Sequence, residues 1–174
     1  ASDVYKRQIE YGTPEQISKY LRPMFTTDEI WCQMFSEPGS GSDLASLSTK
    51  AVDDGDGYIV NGQKVWTTLG HLAKWGLLVT RTDPDVPKHR GLTFFIVDME
   101  SDGVDVRPLR QITGEAEFNE VYFTDVKIPK ENIQENPVTK EESDSREPIE
   151  EVPEVIEEQL NDFESRLKRL TGED

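Results

Sequence analysis

Cysteine, histidine, positive charge and long apolar runs are all scarce in this chain. Cys32 is the only cysteine among 174 residues, so no intrachain disulfide can form. Such usage suits a reducing compartment, and a cytoplasmic location is expected. The two histidines, His71 and His89, have no further ligand types at metal-binding spacing, so no metal centre is expected. No apolar run approaches the roughly 20 residues that cross a bilayer as a helix. The first residues, ASDVYKRQ, hold neither an apolar signal core nor an initiating methionine and read as a truncated start. With 19 Lys and Arg against 35 Asp and Glu, the net charge is −16. No basic stripe exists to neutralise phosphates, so nucleic acid and anionic membranes are not expected as partners.

The acidity is uneven. Residues 131–174 hold fifteen Asp and Glu against five Lys and Arg, which leaves −6 for residues 1–130. A hydrophobic content of 34% and a mean hydropathy of −0.64 are polar for a compact globule, so part of the chain is expected to lie outside the core. Asn136 to Pro148, NPVTKEESDSREP, has the composition of a linker. After Pro153, the residues Ile156, Leu160, Phe163, Leu167 and Leu170 recur at alternating spacings of four and three, an a/d seam. Two heptads support either a marginal coiled coil or an amphipathic helix lying on another surface.

Between these ends nearly every segment reads as strand. Trp31 to Ser36, Ser48 to Asp53, Tyr58 to Val60, Trp75 to Arg81, Leu92 to Val97, Val104 to Leu109 and Glu117 to Val126 are short and lack a helical period. Asn61-Gly62, between YIV and QKVW, carries the two-residue hairpin signal. Seven or so closely spaced strands predict a mainly β fold, an antiparallel β-barrel or sandwich. A short helix precedes it, with Thr13 as N-cap, Pro14 at the first helical position and Gln16 completing a capping box; Pro23 is expected to stop it near Leu21.

The stretch that organises the chain is WCQMFSEPGSGSD, Trp31 to Asp43. A strand entering a loop with Pro38, Gly39 and Gly41 offers bare N–H groups, and Ser36, Ser40 and Ser42 add hydroxyls for an anionic or carbonyl-rich ligand. Taken alone the signal is weak, being neither a P-loop nor a dinucleotide fingerprint. Together, SEPGSGSD, VNGQKVWTT about two dozen residues on, RGLTFFIVD and FNEVYFTDVKIP resemble the middle domain of the acyl-CoA dehydrogenase family, over roughly Gly12 to Ile133.

The resemblance implies four regions. Residues 1–30 would be the remnant of a helical N-terminal domain, 31–130 a β-barrel that binds flavin and acyl-CoA, 131–152 an acidic linker and 153–171 an amphipathic helix. It implies FAD as cofactor, an acyl-CoA thioester as substrate, and a homo-oligomer for the full-length protein. It places Gln33, Phe35 and Ser36 at the pyrimidine edge of the flavin, Ser36 standing where members often have Thr. Gly41 and Ser42 would lie beside the FAD pyrophosphate and the bound acyl-CoA, Trp66 would cover the isoalloxazine, and Thr68 would bring a hydroxyl near its N5 edge. By base rate a strand tryptophan such as Trp66 is more often a core aromatic, and Thr68 a strand end.

Family members carry the catalytic base on a helical C-terminal domain, and the resemblance assigns it to no residue here. Glu37 and Glu117 do not follow its placement, and His71 and His89 read as exposed loop residues. Two other readings stand beside the dehydrogenase. One is a non-catalytic barrel scaffold with a helical interaction segment; the other is a flavin-dependent oxidase or monooxygenase of the same fold.

Overall fold

A computed structural model of the chain describes residues 2–134. The acidic linker from residue 135 on and the heptad helix expected over 153–171 lie outside these residues.

Two helices lead in, α1 (Ser2–Tyr11) and α2 (Pro14–Phe25). The capping box forms as expected: Thr13 Oγ1 accepts from the Gln16 N–H and Gln16 Oε1 accepts from the Thr13 N–H, both at 3.2 Å. Pro23 does not end α2, which continues to Phe25. A proline this close to the C-terminus removes one helical hydrogen bond, and other bonds replace it. The Thr26 N–H and Oγ1 both bind the Arg22 carbonyl at 3.0 Å, and the Phe25 ring packs 5.3 Å from that of Tyr5. Tyr20 fixes α2 to the sheet, its ring 5.4 Å from Trp31 and 4.9 Å from Trp75 and its hydroxyl donating to Asn132 Oδ1 at 3.1 Å.

Eight strands follow: β1 (Trp31–Met34), β2 (Lys50–Asp53), β3 (Gly57–Thr68), β4 (Trp75–Arg81), β5 (Leu92–Asp98), β6 (Val104–Leu109), β7 (Phe118–Pro129) and β8 (Ile133–Gln134). They form one sheet in the order β6-β7-β3-β2-β4-β5-β8, with β1 added alongside β4 in parallel. Most other pairs are antiparallel. The mainly β fold is as expected, but β6 and β8 are the unpaired ends of the path, so the expected barrel is an open sheet. The sheet curls, because a single apolar cluster takes Met34, Ala51, Leu78, Phe95 and Val121 from strands along its whole path. Burial of each of the larger side chains, Met34, Leu78, Phe95 and Val121, contributes about 1.5–3 kcal/mol. Residues 131–134, expected at the start of the linker, instead carry β8, and Gln16 Nε2 holds them through the carbonyls of Glu131 and Ile133.

Asn61-Gly62 is not a hairpin. β3 runs straight through it, because both flanks pair with β7. The register between Val60 and Gly62 shifts by one residue, the extra residue lying on β7 near Asp125, whose φ is +49°. Asn61 spans that bulge: its Nδ2 donates to Asp125 Oδ1 and its Oδ1 accepts from the Asp125 N–H, each at 3.0 Å. Gly62 is needed for a different reason, since a Cβ there would lie 2.7 Å from Thr49 Cα and Cβ at a φ of +154°. The turn propensity of the pair yields to long-range pairing and close packing.

A buried ion pair closes the loop between β1 and β2. Glu37 and Lys64 meet at 2.9 Å with side chains 4% and 0% exposed. Glu37 also accepts from the Ser48 N–H at 2.7 Å, the Ser48 hydroxyl at 2.8 Å and the Thr49 N–H at 2.9 Å. Lys64 donates in addition to the Phe35 carbonyl at 3.0 Å. Burial alone would raise the Glu37 pKa, but hydrogen bonds from Thr49, Ser48 and Lys64, with the Lys64 charge, bring it down to about 2. Lys64 has fewer partners, and burial outweighs them and lowers it to about 8.

Glu37→Gln should therefore cost about 3–5 kcal/mol, because Lys64 stays buried without a counter-charge, and adding Lys64→Met should recover part of the loss. Denaturant midpoints measure both. The folded Glu37 pKa lies below its unfolded value, so the stabilisation is complete above about pH 4.5 and is lost as pH falls toward about 2. The acid limb of the stability profile should flatten in Glu37→Gln.

Candidate functional site

A cleft of about 710 Å³ opens between the helical lead-in and the end of the sheet. Val4, Met24, Thr27, Glu29 and Ile30 form its helical side, while β1 and the end of β3 form the other. Five of the seven residues expected at a ligand site line it together: Gln33, Phe35, Ser36, Trp66 and Thr68. Gly41 and Ser42 are not among the lining residues. They sit on the exposed loop that the Glu37 clamp closes.

The geometry at Trp66 comes from a second bulge. Lys64 faces Val121 and Thr67 faces Asn119, so β3 carries one residue more than β7 over this span. Trp66 takes up the difference with a φ of +61°, and Leu69 follows at +55°. Non-glycine residues rarely adopt this conformation, and where they do the surrounding structure must hold them. The ring is turned outward and is 62% exposed, its edge packed on Phe118 at a centroid distance of 6.0 Å. Trp66 is therefore no core aromatic. The Val65 N–H beside it donates to the Ser36 carbonyl at 2.9 Å, which ties the strand carrying Trp66 to the segment that leads from Gln33 of β1 through Phe35. Thr68, the last residue of β3, is exposed on the same rim.

The Gly41-Ser42 loop has its own anchors. Ser40 Oγ donates to the Asp43 carbonyl at 2.7 Å, and Lys88 Nζ lies 2.7 and 2.9 Å from the Asp43 carboxylate. The hydrogen bond from Lys88, then that from Ser46, lowers the Asp43 pKa from its usual value. Nothing within 4 Å would meet a Cβ at Gly41, so the packing of the protein itself does not require glycine there.

Titratable groups around the cleft are few. Cys32 is buried, and burial pushes its thiol up to about 12, which removes it as a nucleophile near neutral pH. Glu37 is locked in its clamp. Glu117 and both histidines are exposed outside the lining. Sequence reading missed Glu29, the one carboxylate that lines the cleft among the described residues; its Oε2 accepts from the Trp75 indole N–H at 2.7 Å. Its position in the α2–β1 connection carries no motif, so no local signal marks it. No group of three or more His, Cys, Asp or Glu could hold a metal among the described residues. What remains is an open aromatic face bordered by amide and hydroxyl groups, an arrangement suited to a planar ligand with hydrogen-bonding edges.

Comparison with known proteins gives a consistent answer. The profile of the family described as "Acyl-CoA dehydrogenase, middle domain" matches residues 32–126. Acyl-CoA dehydrogenase FadE34 of Mycobacterium tuberculosis is 53% identical over 125 residues, 72% of this chain and 18% of that protein. Among solved structures, the Tcur3481-Tcur3483 steroid ACAD aligns with a TM-score of 0.75 at 32% identity, covering 82% of this chain and 37% of its own. The ChsE4-ChsE5 complex from Mycobacterium tuberculosis aligns with a TM-score of 0.72 at 38% identity, covering 76% of this chain and 35% of its own. The chain thus spans well under half the length of these relatives. With the profile lying over β1 to β7 and so over the strand side of the cleft, the chain belongs to the acyl-CoA dehydrogenase family, as its middle domain.

Proposed function

We propose that this chain is the flavin-facing and thioester-facing part of an acyl-CoA dehydrogenase. The observation that carries the reading is Trp66, held outward by a strained backbone over the same cleft as Gln33, Phe35, Ser36 and Thr68. The family generally uses FAD, and these residues fit it. Trp66 offers a flat face for the ring system, Gln33 and Ser36 offer donors and acceptors for its pyrimidine edge, and Thr68 offers a hydroxyl. The space above Gly41 leaves the main chain open to a pyrophosphate, and Ser42 adds a donor for it or for the acyl-CoA. When bound, FAD supplies the acceptor for the hydride that leaves the β-carbon of the thioester. Gln33, Phe35, Ser36, Trp66 and Thr68 orient and cover; none of these five side chains can serve as the base. The steroid ACAD and the ChsE4-ChsE5 complex among the structural neighbours make a steroid-type acyl-CoA and a partner chain the first substrate and assembly to test.

FAD should bind the isolated chain weakly. The chain spans well under half the length of its relatives and so offers part of their contacts, while the cost of immobilising the ligand is that of a full site. Titration followed by flavin fluorescence measures this, and Trp66→Ala should weaken binding a further tenfold or so. Tight stoichiometric binding, or indifference to Trp66→Ala, would refute the half-site reading.

No dehydrogenation is expected from this chain, because the α-proton of a thioester does not leave at neutral pH without a placed base, worth about 10²–10⁴-fold. Anaerobic flavin bleaching with straight-chain and steroid acyl-CoAs is the assay. Substrate-dependent bleaching abolished by Glu29→Gln would show that the cleft holds its own base.

A further inference from the structure

Asn119 sits on β7 directly across from Thr67 and is 0% exposed. Its carboxamide is fully used. Nδ2 donates to the Thr67 carbonyl at 2.9 Å and to the Glu117 carbonyl at 3.2 Å, which occupies both amide hydrogens. Oδ1 is left as an acceptor, so His71 Nδ1, 3.1 Å away, carries the proton of that contact.

Of the two carbonyls that Asn119 holds, Thr67's lies within the strained turn and Glu117's lies beside it, just before β7. Thr67 follows Trp66 directly, and the Glu117 carbonyl also accepts from the N–H of Leu69 at 2.8 Å. Trp66 and Leu69 are the two left-handed residues of this segment. A bulge interrupts the strand ladder and leaves backbone groups to find other partners. Here one buried side chain provides them. The contact is also close: a Cβ at Gly70 would lie 3.1 Å from Thr67 Cγ2 and 3.4 Å from Asn119 Cβ. An apolar side chain of similar size would fill the same space and leave a buried carbonyl without its donor.

We propose that Asn119, backed by His71, is the positioning residue of the cleft. It holds the β3 bulge in the backbone state that turns the Trp66 ring and the Thr68 hydroxyl toward the ligand. The role in ligand binding rests on the flavin reading given above, whereas the role in fixing Trp66 does not.

The test uses the full chain labelled with 5-fluorotryptophan, which gives one fluorine resonance for each of the three tryptophans. Trp66→Phe assigns the resonance of interest. Asn119→Ala should broaden or split the Trp66 resonance, leave those of Trp31 and Trp75 in place, and weaken FAD binding about tenfold. His71→Ala should shift the Trp66 resonance to a smaller extent. A folded Asn119→Ala chain overturns the proposal if its Trp66 resonance is unchanged, or if its FAD affinity equals that of a wild type that binds. If Asn119→Ala unfolds, so that the Trp31 and Trp75 resonances collapse as well, His71→Ala decides, because it removes only an exposed ring. An unchanged Trp66 resonance there also overturns the proposal. A wild type that binds no FAD defeats the flavin reading alone, and the fluorine result still decides the role of Asn119.

Discussion

The contact between Glu37 and Lys64 is the constraint on which the functional end of this domain depends. It joins the loop after β1 to the middle of β3, two segments separated by 27 residues. The sheet side of the cleft hangs from one or the other. Lys64 directs Phe35 through its carbonyl, and the Val65 N–H directs Ser36. Glu37, through Ser48 and Thr49, decides where the Gly41-Ser42 loop can begin and end. An ion pair this deeply buried is a poor source of net stability compared with apolar packing. Its value here is positional, because a carboxylate with four donors has few alternative arrangements.

The same logic governs the helical lead-in. α2 is short and could not persist by itself. It is held because Tyr20, Trp31 and Trp75 form one aromatic cluster, and because Gln16 and Tyr20 bind the segment that ends in β8. The helices therefore belong to the same body as the sheet, and they supply one side of the cleft.

Local sequence was sufficient wherever local chemistry decided the outcome. β4 and β6 have the bounds that turn residues on either side imply, and the capping box at Thr13 forms as written. It misled at Asn61-Gly62, where hairpin propensity was overruled by pairing with residues some sixty positions away. It also misplaced the end of α2, because the packing of Phe25 on Tyr5 cannot be seen from Pro23. At the site, Gln33, Phe35, Ser36, Trp66 and Thr68, which the motif words name together, line one cleft, while Gly41 and Ser42 lie on the loop outside it. Glu29 and Asn119 were illegible for a common reason. Each matters through a partner distant in the chain, Trp75 for one and Thr67 for the other, and neither pairing leaves a mark on the residues nearby.

The two bulges of the β3–β7 pair have opposite sense. Near Asp125 the surplus residue belongs to β7; at Trp66 it belongs to β3. Gly57 to Val60 and Thr67 to Thr68 consequently share one register with β7, and only the span from Gly62 to Lys64 is out of phase with it. Without the surplus residue at Trp66, β3 would deliver its far end with the faces exchanged, so that Thr67 would point outward and Thr68 inward. The pair of bulges works as an insertion matched by a deletion in a reading frame. Chain length at the end of β3 is thus fixed by the cleft itself: loss of one residue at Trp66 would remove the bulge that builds it, whereas the surplus at Asp125 lies on the other strand, away from the cleft.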